Sequence, residues 1–303
     1  MMGFKKWRSL ASKLVLTCVL VAMVYWSWEN WATIRNVFVD LSAVTLIELS
    51  ILMTFGIVCQ TLSFTLLIRG MGYPFSYIDS YHSLNLSQVA AMVPGKIWGF
   101  AGLVGLLCAR GVSKSDSLLI IALQTLLMLS AAVCVGASGL IPIIGWKYTI
   151  LSLLPVLLVL FGHPWLQRFR LKYFSSSSSL PMPLVMVLTL LIGIISWIAI
   201  SVGFLIMIST ALGDWPPNPL IVVGSFPAGY VAGFISMIAP SGLGIREGVI
   251  TLILAPLVGH EKGMAMAVVF RVIHMAILWI NILVTLAMLS FRKGDSPIGY
   301  NGL

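Results

Sequence analysis

Long apolar runs separated by short polar segments occupy most of the chain and predict membrane-spanning helices. A helix needs about 20 apolar residues to cross a hydrocarbon core of roughly 30 Å. Runs of that length occur at residues 41–68, 117–139, 183–209, 219–239 and 264–291. Shorter runs at residues 14–24, 148–162 and 245–258 bring the predicted crossings to eight.

The stretch 82–109 is different, because Pro94, Gly95 and Lys96 divide it into two short halves. Neither half is long enough to span alone, so the stretch either crosses once with a break or forms a re-entrant hairpin. With a hairpin, 13 Lys and Arg residues, Arg246 among them, face the cytoplasm and 3 face outward; a single crossing gives 7 against 9. The positive-inside rule therefore favours the hairpin, with both termini cytoplasmic.

The composition excludes a soluble protein. Of 303 residues, 59% are hydrophobic and only 9% are charged, whereas about a quarter of a typical soluble domain is charged. The excess of 18 Lys and Arg over 9 Asp and Glu is not interleaved with aromatics on one element, so we expect no nucleic-acid partner. The predicted fold is an all-α polytopic membrane bundle, about eight spans plus the hairpin, forming a single transmembrane domain over residues 1–303.

Two interruptions occur half a chain apart. Pro94 and Gly95 break the first apolar stretch, and the run Pro240, Gly242, Gly244 breaks another, with the two prolines 146 residues apart. Paired Pro/Gly breaks in corresponding halves indicate the substrate site of a transporter built from repeats, here residues 1–145 and 146–303. Each break leaves a helix N-terminus, whose unpaired N–H groups favour an anion.

Ionisable and polar residues gather near these breaks and are the candidate ligands of an anion. Lys96 and Arg246 follow the breaks, although each could instead extend its side chain to the membrane surface. An ionisable residue at membrane depth costs roughly 2.5–3.5 kcal/mol on insertion scales and usually faces a cavity or a partner. The other candidates are Glu247, as partner of Arg246 or Arg271, then Arg271 and His274 at i, i+3, and His82, Asn85 and Gln88 along one helix face. A structural ion pair and a functional one both remain open for Glu247.

The chain resembles the lysylphosphatidylglycerol synthase transmembrane-region family, a membrane domain regarded as a lipid flippase. The resemblance extends over about residues 81–290 and is carried by the segments 93–96 and 239–248, by Arg110 and by Arg271. It implies a stand-alone bacterial inner-membrane member, with Arg110 among the anion-binding residues. Lys96 stands where a Glu is commoner in the family, which suggests a different headgroup. No soluble segment the size of the synthase domain is present, so lipid synthesis is not expected.

These observations favour a flippase for an anionic lipid or a polyprenyl-phosphate-linked glycolipid over two alternatives. A membrane-embedded enzyme would need clustered acidic residues, yet the predicted outward ones are scattered: Glu29, Asp40, Asp214 and Glu261. An accessory subunit of envelope lipid or polysaccharide biosynthesis is the other alternative. We expect membrane lipids as partners, with envelope-biosynthesis enzymes as further candidates, and no catalytic residue, cofactor or metal, since the four cysteines show no metal or disulfide spacing.

Overall fold

The computed structural model describes residues 24–91, 97–150, 180–236 and 242–294, together with residue 21 and scattered positions between 154 and 168. Regular structure in this part of the chain is helical. The helices are α1 (Trp31–Val39), α2 (Ala43–Gly70), α3 (Tyr77–Ala91), α4 (Ile97–Cys108), α5 (Lys114–Gly139), α6 (Ile141–Ile144), α7 (Trp146–Thr149), α8 (Pro183–Leu212), α9 (Pro219–Ile235), α10 (Ile245–Val258) and α11 (His260–Gly294).

Four described helices are long and apolar enough to cross a membrane, namely α2, α5, α8 and the His260–Ser290 part of α11. Local sequence signals set their ends. The hydroxyls of Ser42 and Ser113 accept the backbone N–H groups that begin α2 and α5, and Pro183 begins α8. The prediction of an all-α polytopic membrane bundle is confirmed. The predicted run 14–24 and most of the run 148–162 lie outside the described residues.

Helices α3 and α4 pack side by side in opposite directions and form what we call the first hairpin. Arg110, just after α4, contacts Asp79 and Ser83 in α3, while a Cβ on Gly102 would lie 3.1 Å from Cβ of Ala90 near the other end. The chain therefore returns to the side from which it entered. This is the arrangement that the charge count favours over a single crossing.

Helices α9 and α10 form the second hairpin. A Cβ on Gly229 would meet Ile250 at 2.6 Å, and one on Gly233 would meet Cβ of Arg246 at 3.3 Å, so the arms run antiparallel. With 17 and 14 residues, the arms are about 25 and 21 Å long, shorter than a typical hydrocarbon core. The predicted crossing at 219–239 is thus a shorter helix that ends at Ile235.

Arg246 requires a correction to the charge count, which placed it in a cytoplasmic loop. Its side chain lies among helices and is only 8% exposed. When Arg246 is left out of the count, the hairpin arrangement has 12 Lys and Arg residues on the cytoplasmic side and 3 on the outer side. The positive-inside rule therefore still favours a hairpin at residues 82–109.

A long helix, a hairpin and a second long helix follow one another twice along the chain. Helices α2 and α8 run antiparallel, because Thr45 contacts Thr210 at one end and Gly70 approaches Pro181 at the other. Each hairpin also packs on a long helix of the other half: α3 on α11, through Tyr81 and Asn281, and α9 on α5. The half-repeats 1–145 and 146–303 stay a prediction, with which this element order agrees.

Candidate functional site

Glycines allow the start of α10 to pack closely against α9 in the second hairpin. Gly242 and Gly244 have φ of +69° and +81°, a region that favours glycine, and a Cβ on Gly242 would lie 2.8 Å from Cα of Gly233. The two arms therefore approach at backbone distance where α10 begins. Pro240, predicted as part of this break, lies outside the described residues.

Arg246, the second residue of α10, points towards α9. Its guanidinium carbon lies 4.2 Å from the centroid of the Phe226 ring and 5.4 Å from that of Tyr230. Aromatic faces attract a cation, but they accept no ordinary hydrogen bond. The buried Nη2 atom has no hydrogen-bond acceptor among the described residues. Arg246 thus carries a buried positive charge with unused donor capacity.

Glu247 points instead towards α11, where it forms an ion pair with Arg271. The pair lies away from solvent, since the side chain of Glu247 is 1% exposed and that of Arg271 is 13% exposed. The second oxygen, Oε2, accepts the backbone N–H of Gly244 at 2.7 Å. Glu247 therefore both fixes the start of α10 and neutralises Arg271.

His274 lies one turn beyond Arg271 on α11 and is half-buried. Its ring is 6.3 Å from that of Phe226 in an edge-on orientation, so Phe226 contacts both His274 and Arg246. The structure thus brings together four of the predicted residues: Arg246, Glu247, Arg271 and His274. We call this group the arginine cluster.

The predicted polar face of α3 is divided by the structure. His82 and Asn85 are buried, whereas Gln88 is exposed. Asn85 donates its side-chain N–H to the carbonyl of Tyr81 at 3.0 Å, and the Tyr81 hydroxyl donates to Oδ1 of Asn281 at 2.8 Å. Asn281 is ten residues beyond Arg271 on α11, about 15 Å along the helix. This polar contact is therefore separate from the arginine cluster.

Arg110 is at the base of the first hairpin and not in the arginine cluster. Its Nε atom lies 3.4 Å from a carboxylate oxygen of Asp79, and Nη1 donates to Oγ of Ser83 at 3.1 Å and to the carbonyl of Leu106 at 3.3 Å. These partners all belong to the first hairpin. The other predicted residues of that hairpin's turn, Pro94, Gly95 and Lys96, lie outside the described residues.

Sequence reasoning missed Phe226, Tyr230 and Asp79. The two aromatic residues are four apart on α9, and this spacing alone places them on one helix face. Asp79 precedes Pro94 by 15 residues, and Arg110 follows Gly95 by 15 residues. A hairpin that turns at Pro94 and Gly95 therefore places Asp79 and Arg110 side by side. Neither signal by itself distinguishes a ligand site from ordinary packing.

The described residues contain no group of three or more His, Cys, Asp and Glu side chains that could hold a metal ion. Within the same ranges, Cys59, Cys108 and Cys134 are free thiols. The arginine cluster supplies two guanidinium groups, one carboxylate and an imidazole, and the rings of Phe226 and Tyr230 pack against Arg246. Such a set can bind an anion by charge and by donated hydrogen bonds.

Comparison with known proteins assigns the chain to a family. The model of the lysylphosphatidylglycerol synthase TM region matches residues 11–283, a range that includes both hairpins and the arginine cluster. No curated protein and no solved structure matches the chain. Because the family model extends over most of the sequence, this multi-pass membrane protein belongs to the lysylphosphatidylglycerol synthase TM region family.

Proposed function

We propose that the protein translocates an anionic lipid, a phospholipid or a polyprenyl-phosphate-linked glycolipid, across the bacterial inner membrane. The observation that carries this proposal is the buried guanidinium of Arg246, whose Nη2 atom has no acceptor among the described residues. A lipid phosphate is an acceptor of the right charge and shape, because its oxygens take two parallel hydrogen bonds from one guanidinium.

The charges around Arg246 support an anionic ligand. Arg246 and Arg271 are positive and Glu247 is negative, so these three residues sum to one positive charge if each is ionised. Taking an ion out of water costs several kcal/mol unless it is paired, and an ionisable residue inside a membrane usually faces a cavity or a substrate pathway. A phosphodiester with one negative charge would complete the balance.

The position of the cluster along its helices suits headgroup transfer. Glu247 lies 11 residues before the end of α10 and Arg271 lies 11 residues after the start of α11, about 16 Å from the turn between the helices. That distance is roughly half the thickness of a hydrocarbon core. The headgroup would be bound near the midplane, with the acyl chains remaining in the bilayer.

The same proposal includes the orientation and partners expected from the sequence. Both termini face the cytoplasm, and envelope-biosynthesis enzymes supply or consume the lipid. The protein acts as a transporter and not as an enzyme, so the lipid is recovered chemically unchanged. Mass spectrometry of the lipid before and after transport checks this last point.

A proteoliposome assay tests the proposal. Purified protein is reconstituted with a fluorescent phosphatidylglycerol analogue, and transfer between leaflets is followed by chemical quenching of the outer-leaflet label. We expect Arg246→Gln to lose about tenfold or more of the transfer rate, since one charge-assisted hydrogen-bond donor is removed. Arg35→Gln removes an exposed cation from α1 and should leave the rate unchanged.

Equal rates for Arg246→Gln and Arg35→Gln, or no transfer above that of empty liposomes for any of the anionic lipid classes tried, would overturn the proposal. Arg246→Lys is the matched variant that keeps the charge and loses the guanidinium. It should retain more activity than Arg246→Gln, because a lysine still attracts the phosphate as a point charge.

A further inference from the structure

A cavity that is open to the surface lies at the corner where α2 ends and α3 begins. It has a volume of about 550 Å³ and is lined by Arg69, Gly72, Tyr73, Pro74, Phe75 and Ser76. Arg69 is the penultimate residue of the 28-residue span α2, so the cavity lies at a membrane surface. It shares no residue with the arginine cluster.

Arg69 is oriented within this cavity by the loop itself. Its Nε–H donates to the carbonyl oxygen of Phe75 at 2.7 Å, and no described residue is hydrogen-bonded to the two terminal nitrogens of this exposed side chain. Neither of the two ion pairs found among the described residues includes Arg69. A held guanidinium with both terminal nitrogens available has the fork geometry that recognises phosphate.

The walls of the cavity are fixed by contacts outside it. The hydroxyl of Tyr73 donates to a carboxylate oxygen of Asp116 at 2.5 Å, and Asp116 is fully buried. Ser76 lines the cavity and also accepts the backbone N–H of Asp79 in the first turn of α3. The cavity therefore borders the N-terminus of α3, where the helix dipole favours negative charge and where the Ser76 hydroxyl also donates to the carboxylate of Asp79.

Two carboxylates lie near this corner, and one of them is paired with an arginine. Asp79, in the first turn of α3, lies 3.4 Å from Arg110, and the guanidinium of Arg110 is 6.0 Å from the ring of Phe75 on the same corner. Asp116 is fully buried, and its carboxylate accepts hydrogen bonds from the hydroxyls of Tyr73 and Ser113. Within the described residues Asp79 is therefore paired with Arg110 and not with Arg69.

We propose that the corner between α2 and α3 binds the phosphate of an anionic phospholipid headgroup at the membrane surface. The side chains of Tyr73 and Pro74 favour a lipid over a free phosphate, since a glycerol backbone offers apolar contacts that a bare ion lacks. The site is separate from the one proposed for translocation and binds lipid whether or not Arg246 takes part in transport.

Lipid binding to the purified full-length protein tests the site. Native mass spectrometry in detergent, with dioctanoyl phosphatidylglycerol as the probe, gives the apparent Kd of Arg69→Gln, of Arg35→Gln and of the parent protein. Each of the three proteins is measured both with Arg246 intact and with the Arg246→Gln substitution. This comparison distinguishes lipid bound at the arginine cluster from lipid bound at the corner between α2 and α3. We expect Arg69→Gln to raise the apparent Kd about tenfold in both backgrounds and Arg35→Gln to leave it within about twofold.

Equal Kd values for Arg69→Gln and Arg35→Gln in both backgrounds would overturn the proposal. A competition arm identifies the source of the phosphate. Inorganic phosphate and glycerol 3-phosphate should displace the lipid only at much higher concentration than the lipid's own Kd, and displacement at equal concentration would overturn the assignment to a lipid. The transfer rate of Arg246→Gln decides the proposed transport function separately, because Arg69 is intact in that variant.

Discussion

Replacing Arg271 with methionine should destabilise the folded protein by about 3–5 kcal/mol, the usual cost of removing one partner from a buried ion pair. The carboxylate of Glu247 would then stay in a site where only 1% of its side chain is exposed. Its remaining hydrogen bond, from the backbone N–H of Gly244 at 2.7 Å, satisfies one oxygen and does not neutralise the charge. Arg246 is not positioned to replace Arg271, because its guanidinium packs over Phe226.

A double-mutant cycle isolates the interaction between Glu247 and Arg271. The double variant Glu247→Met/Arg271→Met removes both charges and should recover most of the loss, since well-packed apolar residues replace a buried ion pair at little cost. About 1–3 kcal/mol should remain, because the N–H of Gly244 loses its acceptor. The two single effects should therefore sum to much more than the effect of the double variant.

Equilibrium unfolding in mixed detergent and dodecyl sulfate micelles, followed by circular dichroism of the helices, measures these free energies. Arg110→Met is the control, since it removes an arginine whose ion pair is about one quarter exposed. If both single variants at the buried pair cost less than about 1 kcal/mol and their effects add, the pair behaves as a solvent-screened surface contact, and the reasoning from burial is wrong.

Three further variants test the close packing of two helices and the effect of a more exposed ion pair. Gly139→Ala should lower the free energy of unfolding by roughly 1–3 kcal/mol, because the new Cβ would lie 2.5 Å from backbone atoms of Gly224. Gly105→Ala is the control. Its Cβ would meet nothing within 4 Å, so the higher helix propensity of alanine should raise the free energy of unfolding by up to about 1 kcal/mol. Thermal unfolding in detergent ranks the two, and equal melting temperatures would contradict the close helix contact. Arg110→Gln should cost less than about 1 kcal/mol by the same measurement, since its pair with Asp79 is solvent-accessible; a loss of several kcal/mol would refute that.

The sequence anticipated the membrane helices because their signal is local. An apolar run of the required length must be helical in a bilayer to satisfy its own backbone, so hydropathy alone located α2, α5, α8 and most of α11. Hydropathy did not locate the end of the helix in the run 219–239, because helix α9 ends at Ile235. A run of apolar residues does not show where a backbone turns, and here the glycines around Gly242 allow the turn.

The sequence also identified the four residues of the arginine cluster, because charged and ionisable side chains are rare in apolar segments. It left open whether Glu247 pairs with Arg246 or with Arg271. Consecutive residues on a helix point about 100° apart, so Arg246 and Glu247 cannot face the same neighbour. Only the packing of α10 between α9 and α11 decided that Arg246 contacts Phe226 and that Glu247 contacts Arg271.

The assignment of Arg110 to the anion site followed from family resemblance and depended on long-range placement. By itself the sequence determined that the first hairpin is interrupted near Pro94, that few charges lie in the membrane, and which residues those are. The tertiary structure decided that Arg110 pairs with Asp79 at a hairpin base and that Arg69 faces a separate cavity. Which side chains meet depends on how the helices rotate and pack, and hydrophobic patterning fixes only their lengths and their order.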